Sequence, residues 1–423
     1  MGDPANEEDP MADDGAPTFL ADFATLSGFG ATERGGVHRE AASEADDRQW
    51  AWFGRWLADR GFTVVHDRIG NQFGLLERTP GAPYVLVGSH LDSQPFGGRW
   101  DGAYGVLAAA HAAHRLAGTT HALNLAVVNW FNEEGSRFTP SMFGSAVFTG
   151  ALDPGAALDT RDPAGIRVGD LLAASGRTGT GAPTLADIAC YAEIHVEQGR
   201  VLEDTGTTIG LVEATWAARK YALRVLGEQS HTGSTVMADR RDALLGAARL
   251  VVLARELSDE LSGTGAPLHT SVSRMTVEPN SPVTVAREVT LNLDLRSPDE
   301  QLLARADELL HSRIAGIERS ARVAVEIAGS HGWGVQPFPA AGIDLAREVA
   351  DGLGLGHRRM PTVAGHDSVN LNGHVPTVML FVPSVDGISH NEGEHTTDAD
   401  ALAGLDLLTG VLRRLAAGEI TAG

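Results

Sequence analysis

Two rhythms of apolar residues divide the chain. In the first, Trp50, Phe53, Trp56 and Leu57 recur at the spacing of one helical face over 46–60, with Gly61 as a stop, and short strands are expected at 62–65, 72–76 and 84–87. An Ala-rich helix over 106–116 and an apolar strand over 123–131 follow, the strand running straight into Asn132, Glu133, Glu134 and Gly135. Strands alternating with helices predict an α/β layer architecture with a largely parallel sheet.

The second rhythm starts near Glu213. Tyr221, Leu223 and Val225 alternate as on a half-buried strand over 220–226, and Leu244, Ala247, Leu250, Val251 and Ala254 return at helical period over 241–257. Strands at 270–277 and 289–295, a helix at 298–317 and a strand at 322–327 complete a βαββαβ order, the ferredoxin-like pattern. From about Trp333 the first rhythm resumes, with a helix at 344–353, a loop through Gly365 and His366, a strand at 375–382 and a last helix at 398–416. Residues 1–16 are acidic, rich in Pro and Gly, and too poor in large apolar groups to offset the entropy of ordering, so a disordered tail is expected there. The expected division is thus a first domain of 17–212 with 333–423, and an inserted domain of 213–332.

Composition narrows the function. The 423 residues are enough for two or three domains, and 43% hydrophobic residues supply their cores. A formal charge of -22 argues against nucleic-acid or anionic-membrane partners, whose phosphates require Lys and Arg. Cys190 is the only cysteine, which excludes an internal disulfide framework and fits a reducing compartment. No apolar run reaches the ~20 residues of a membrane span, so a cytoplasmic location is the expectation.

The chemistry concentrates in the stretch YVLVGSHLDSQPFGGRWDGAYGV, residues 84–106. His90 and Asp92 fall where a buried strand ends, and Gly97, Gly98 and Gly102 let the backbone turn around Asp101. Four further pairs fall at strand ends: Glu133 with Glu134, His195 with Glu197, His366 with Asp367, and His390 with Glu394. Imidazoles and carboxylates without thiolates suit a catalytic zinc, manganese or cobalt site better than a structural one. Adjacent glutamates in a turn can reach one site together, one holding metal while the other handles protons. Each residue alone has an ordinary reading: Glu133 and Glu134 at the start of a helix, Asp101 in a turn beside Gly102, His231 in a loop. Their joint placement at the ends of apolar strands is what points to a site.

The stretches GSHLDS, GGRWDGAYGVLA, NEEGSRF, EIHVEQGRVLE, GEQSHTGSTVMADRRDAL, AGHDS and FVPSVDGISHNEGEHT resemble, in the same order from about residue 88 to 397, the hydantoinase/carbamoylase family of zinc amidohydrolases within the wider M20 metallopeptidase-like group. That group includes N-carbamoyl-L-amino acid hydrolases, β-ureidopropionases and allantoate amidohydrolases. The resemblance implies an M20-type α/β catalytic domain with a ferredoxin-like lid and dimerisation domain, and two divalent metal ions per subunit, zinc first, with manganese, cobalt or nickel as alternatives. Asp101 would bridge them, with His90 and His195 completing one and Glu134 and His390 the other. Asp92 would orient His90 through its other ring nitrogen, and Glu133 would be the general base that serves a metal-bridged hydroxide.

His231 matches the family histidine that reaches the partner subunit's site to stabilise the oxyanion, which implies a homodimer acting on a small-molecule substrate. Gln198, Asn280 and Arg296 match substrate-binding positions. The family has a second asparagine three residues after the one matched by Asn280, and here that position is Val283. One arm of the carboxylate clamp is therefore replaced. The implied reaction is hydrolysis of an N-carbamoyl amino acid. The alternatives are an allantoate amidohydrolase or another M20 amidase or aminoacylase with an altered carboxylate pocket, and a silent binding protein, which would need a lost ligand or base.

Overall fold

In the computed structural model, which describes residues 16–420, the chain divides into two compact units. The first runs to Glu213 and resumes at Phe338; the second is Ala214–Pro337. Apart from Ala16, the expected tail lies outside the described residues.

The first unit is built on an eight-stranded sheet in the order Thr63–His66, Gln72–Leu76, Asn124–Trp130, Tyr84–His90, Ile188–Val196, Thr377–Val382, Ile209–Thr215, His357–Thr362. Its four central strands, from Asn124–Trp130 to Thr377–Val382, are parallel. The expectation of a largely parallel sheet therefore holds only at the centre. Gln72–Leu76 pairs antiparallel with both its neighbours, and Thr377–Val382 pairs antiparallel with Ile209–Thr215. A short turn is all that an antiparallel pair needs, whereas each parallel pair requires a crossover, so the hairpin at the edge is the economical connection.

Both faces of this sheet are covered, which is why its central strands read as continuous apolar runs. Leu125 and Val127 pack into one core with Val85, Val87, Tyr104 and Leu405. Ala126, Val128 and Trp130, pointing the other way, join Phe73, Leu86 and Tyr191. Helix Ala16–Ser27 was not expected; it inserts Phe19, Phe23 and Leu26 into the first of these cores.

The second unit is the βαββαβ arrangement. Its antiparallel sheet has the order Ala324–Trp333, Ala217–Leu226, Glu288–Ser297, His269–Glu278, and helices Ala243–Leu261 and Glu300–Ala321 pack on the side of Tyr221, Leu223, Val225, Leu291 and Leu293. Asp242 and Asp299 cap the two helices by accepting first-turn amides. This unit extends past residue 332 to Pro337. Strand Ala324–Trp333 runs on to its end, the Trp333 indole donates to the Trp216 carbonyl (2.9 Å), and the Gln336 amide donates to Thr215 Oγ1 (3.0 Å). Among the described residues no helix is long and apolar enough to cross a membrane.

Candidate metal centre

The four parallel strands all deliver functional side chains at their carboxyl ends, where an open α/β sheet leaves a crevice. Strand Tyr84–His90 ends on His90 and strand Ile188–Val196 carries His195 at its penultimate position. The turn after Asn124–Trp130 presents Glu133 and Glu134, and the loop after Thr377–Val382 leads to His390. Asp101 lies just ahead of helix Ala103–Arg115.

Asp101 is the meeting point. Its Oδ1 lies 3.1 Å from His195 Nε2 and 3.6 Å from His90 Nε2, while its Oδ2 lies 3.1 Å from His390 Nε2. Glu134 Oε2 is 3.4 Å from the same His390 nitrogen. The result is two ligand triads sharing one carboxylate: His90, Asp101 and His195, and Asp101, Glu134 and His390. Within each, the candidate ligand atoms all lie within 4.8 Å of one another. Mixed imidazole and carboxylate donors converging in this way fit a pair of divalent ions. The neighbouring Glu133 places Oε2 3.5 Å from His90 Nε2.

The supports are as specific as the ligands. Gly102 has φ +62°, and a Cβ there would lie 2.3 Å from His90 Cε1, so both the backbone and the imidazole demand glycine. His90 Nδ1 sits 3.0 Å from the main-chain oxygen of Asp92 and 3.6 Å from its carboxylate. Asp92 thus orients His90 through its carbonyl. Its carboxylate is taken by the amides of Glu133 (3.1 Å) and Glu134 (3.3 Å), which fixes the turn carrying both glutamates.

Three of the acidic residues singled out by sequence prove to be braces. Glu394 accepts the amides of Trp100 and Asp101, Glu197 accepts those of Val201 and Leu202, and the buried Asp367 accepts the Ser145 hydroxyl. His366 lies beside His195, ring centroids 4.5 Å apart and planes tilted by 57°. Gln198 donates from Nε2 to Asp101 Oδ2 (2.9 Å). Gln94 was not anticipated: its backbone and side-chain nitrogens both donate to the Glu134 carboxylate, at 3.1 and 2.9 Å.

Burial and the carboxylates of Asp367, Glu134 and Asp92 push the Glu133 carboxyl well above the usual range, against the pull of His90. Asp101 goes the other way. Although burial raises it, the imidazoles of His195, His390 and His90 hold it well below.

His231, Asn280, Val283 and Arg296 belong to the second unit. The exposed His231 accepts at Nδ1 from the amides of Gly233 (2.9 Å) and Ser234 (3.1 Å), which leaves Nε2 as the protonated, outward donor. Its strand Ser230–His231 pairs with Thr284–Val285, next to the exposed Val283. Asn280 is exposed in the connection leading there. The Arg296 guanidinium donates to Asp294 Oδ2 from Nε (3.0 Å) and Nη2 (2.7 Å).

Comparison with known proteins identifies the family. Residues 86–414 match the model of peptidase family M20/M25/M40. The chain is 32% identical to an N-carbamoyl-L-amino-acid amidohydrolase of Rhizobium meliloti, over 88% of this chain and 90% of that one. It is also 32% identical to an allantoate amidohydrolase of Bacillus subtilis, over 92% and 95%. Among solved structures, a hydantoinase/carbamoylase family amidase of Burkholderia vietnamiensis superposes with a TM-score of 0.90 at 35% identity, covering 95% of this chain and 98% of that one.

Proposed function

The chain belongs to peptidase family M20/M25/M40 and is a hydrolase of carbon–nitrogen bonds other than peptide bonds; from that premise we propose that it hydrolyses the ureido group of an N-carbamoyl amino acid, releasing the amine, carbon dioxide and ammonia. The observation that carries this reading is the shared Asp101, whose two oxygens face two separate triads with Glu133 beside them.

His90, Asp101 and His195 would hold one divalent ion and Asp101, Glu134 and His390 the other. Bound there, the pair would supply Lewis acidity, acidifying the attacking water and polarising the substrate carbonyl. Glu133 takes the proton from the attacking water and returns it to the leaving nitrogen. His231 acts on the partner subunit's site, where its Nε2–H donates to the oxyanion of the tetrahedral intermediate. Gln198, Asn280 and Arg296 bind the substrate, Arg296 pairing with its carboxylate.

Two features of the second unit support a homodimer. Helix Ala243–Leu261 exposes Leu244, Leu245, Val251 and Val252 along its outer face, and the adjoining strand His269–Glu278 is an open sheet edge.

Equal identity to a carbamoylase and an allantoate amidohydrolase leaves the second ureido substrate in play, and Val283 favours an altered carboxylate geometry. The test is ammonia release by the zinc- or manganese-loaded enzyme across N-carbamoyl-L- and D-amino acids, N-carbamoyl-β-alanine and allantoate, with amine detection for N-acyl amino acids. Preference for a carbamoyl amino acid supports the proposal; turnover of allantoate or acyl substrates alone overturns it. Val283→Asn should shift preference toward ordinary α-amino-acid carboxylates, and an unchanged ranking would remove that residue from the argument.

A further inference from the structure

Behind the turn that carries Glu133 and Glu134, the first unit encloses a cavity of about 10 Å³ lined by Asp46, Trp50, Asp92, Asn132 and Arg177 among others. That is the room one water molecule takes. Four buried polar groups on these residues have no hydrogen-bond partner among the described residues: Trp50 Nε1–H, Arg177 Nε–H, Arg177 Nη2 and Asn132 Oδ1, of which Nη2 is paired by charge with Asp47 at 2.8 Å. With Nη2 turned to Asp47, the remaining two donors and one acceptor are a set that a single water satisfies at once, accepting from Trp50 and Arg177 Nε and donating to Asn132.

Arg177 plays no part in the chemistry described so far, and it is held rigidly. The side chain is 2% exposed, its Nη1 and Nη2 reach Asp46 (2.7 Å) and Asp47 (2.8 Å), and its guanidinium lies 5.2 Å from the centre of the Trp50 ring. Neither Arg Nε–H nor Trp Nε1–H can act as an acceptor, so a water between them can only donate towards Asn132. That selects one orientation of the Asn132 carboxamide, with Oδ1 towards the water and Nδ2 donating to the Phe138 carbonyl (2.7 Å). Asn132 itself has a left-handed backbone, φ +53°, and is followed directly by Glu133 and Glu134.

We propose that Arg177 is a positioning residue: through a water held in this cavity it locks Asn132, and with it the turn that aims Glu133 and Glu134. The inference rests on the roles given to those two glutamates above.

Arg177→Lys separates this from a purely structural role, because an ammonium still pairs with Asp46 and Asp47 but offers no Nε–H to the cavity. Its melting temperature should stay near wild type while kcat falls about 10- to 100-fold at unchanged KM, and cobalt affinity, titrated by visible absorption without substrate, should weaken by a similar factor. Trp50→Phe removes the other donor and should act in the same direction, with the double variant no worse than the poorer single; it carries the test if Arg177→Lys does not fold. A high-resolution crystal structure should show a water within hydrogen-bonding distance of Trp50 Nε1 and Arg177 Nε. A dry cavity, or an Arg177→Lys enzyme with wild-type kcat and cobalt affinity, would overturn the proposal. Since the cobalt titration needs no substrate, its outcome is independent of which amide the enzyme cleaves.

Discussion

Asp101 serves both triads, whereas each histidine serves one, so single substitutions should differ in stoichiometry. Elemental analysis should find two ions per chain in wild type, none in Asp101→Ala, and one each in His195→Ala and His390→Ala. A full complement retained by Asp101→Ala would sink the shared-ligand assignment. Glu133→Gln should keep both ions and lose about 10²- to 10⁴-fold in turnover, since only the proton transfer is removed; an active variant would reassign the base. The candidate ligands stood out in the sequence because each is an imidazole or carboxylate near the boundary of an apolar run, and the family resemblance implied their division into two sets. Gln94 and Arg177 were not, because an amide or a guanidinium acquires meaning only from its partners. Those partners lie 40 positions away for Gln94 and Glu134, and 131 for Arg177 and Asp46.

At the scale of elements, two strands whose bounds the sequence reading did not give have surroundings that contradict their composition. Strand His357–Thr362 reads HRRMPT, with two arginines and a proline, yet as the last strand of the sheet it can tolerate proline, with Arg359 exposed and Arg358 half-buried. Ile188–Val196 is buried along its whole length, and Glu193 interrupts its apolar pattern; Ser89 Oγ and the Ser368 amide, each 2.8 Å from its carboxylate, make that burial tolerable.

The turn between Thr63–His66 and Gln72–Leu76 holds a testable case. The Asp67 carboxylate accepts the amides of Ile69 (2.9 Å) and Asn71 (3.0 Å) and the Asn71 side chain (2.7 Å), but burial outweighs these bonds and pushes its pKa up to about 6. The folded state therefore keeps this proton at a pH where the unfolded chain has released it, and the stability from this group falls as pH rises from about 4 to about 6, by up to about 3 kcal/mol. Asp67→Asn cannot titrate. In urea denaturation the wild-type advantage over the variant should shrink by that amount across the window, and a difference flat with pH would show that burial does not govern Asp67.

For the whole molecule, the decisive question is whether one site draws residues from two chains. Glu133 and the ligands lie in the first unit and His231 in the second, and the proposal pairs the first unit of one subunit with the second unit of its partner. Mixing two inactive variants then has a calculable result. In a mixed dimer of His231→Ala and Glu133→Gln subunits, the His231→Ala subunit keeps its own Glu133 and receives His231 from its partner, completing one site, while the other site lacks both groups. Random exchange makes half the dimers mixed, so activity should return to about a quarter of wild type although each parent is inactive. If His231 served its own chain, neither subunit of the mixture would hold a complete site and nothing would return. Exchange itself is read separately, by differently tagged subunits co-purifying, so silence in an exchanged mixture would count against action across the interface.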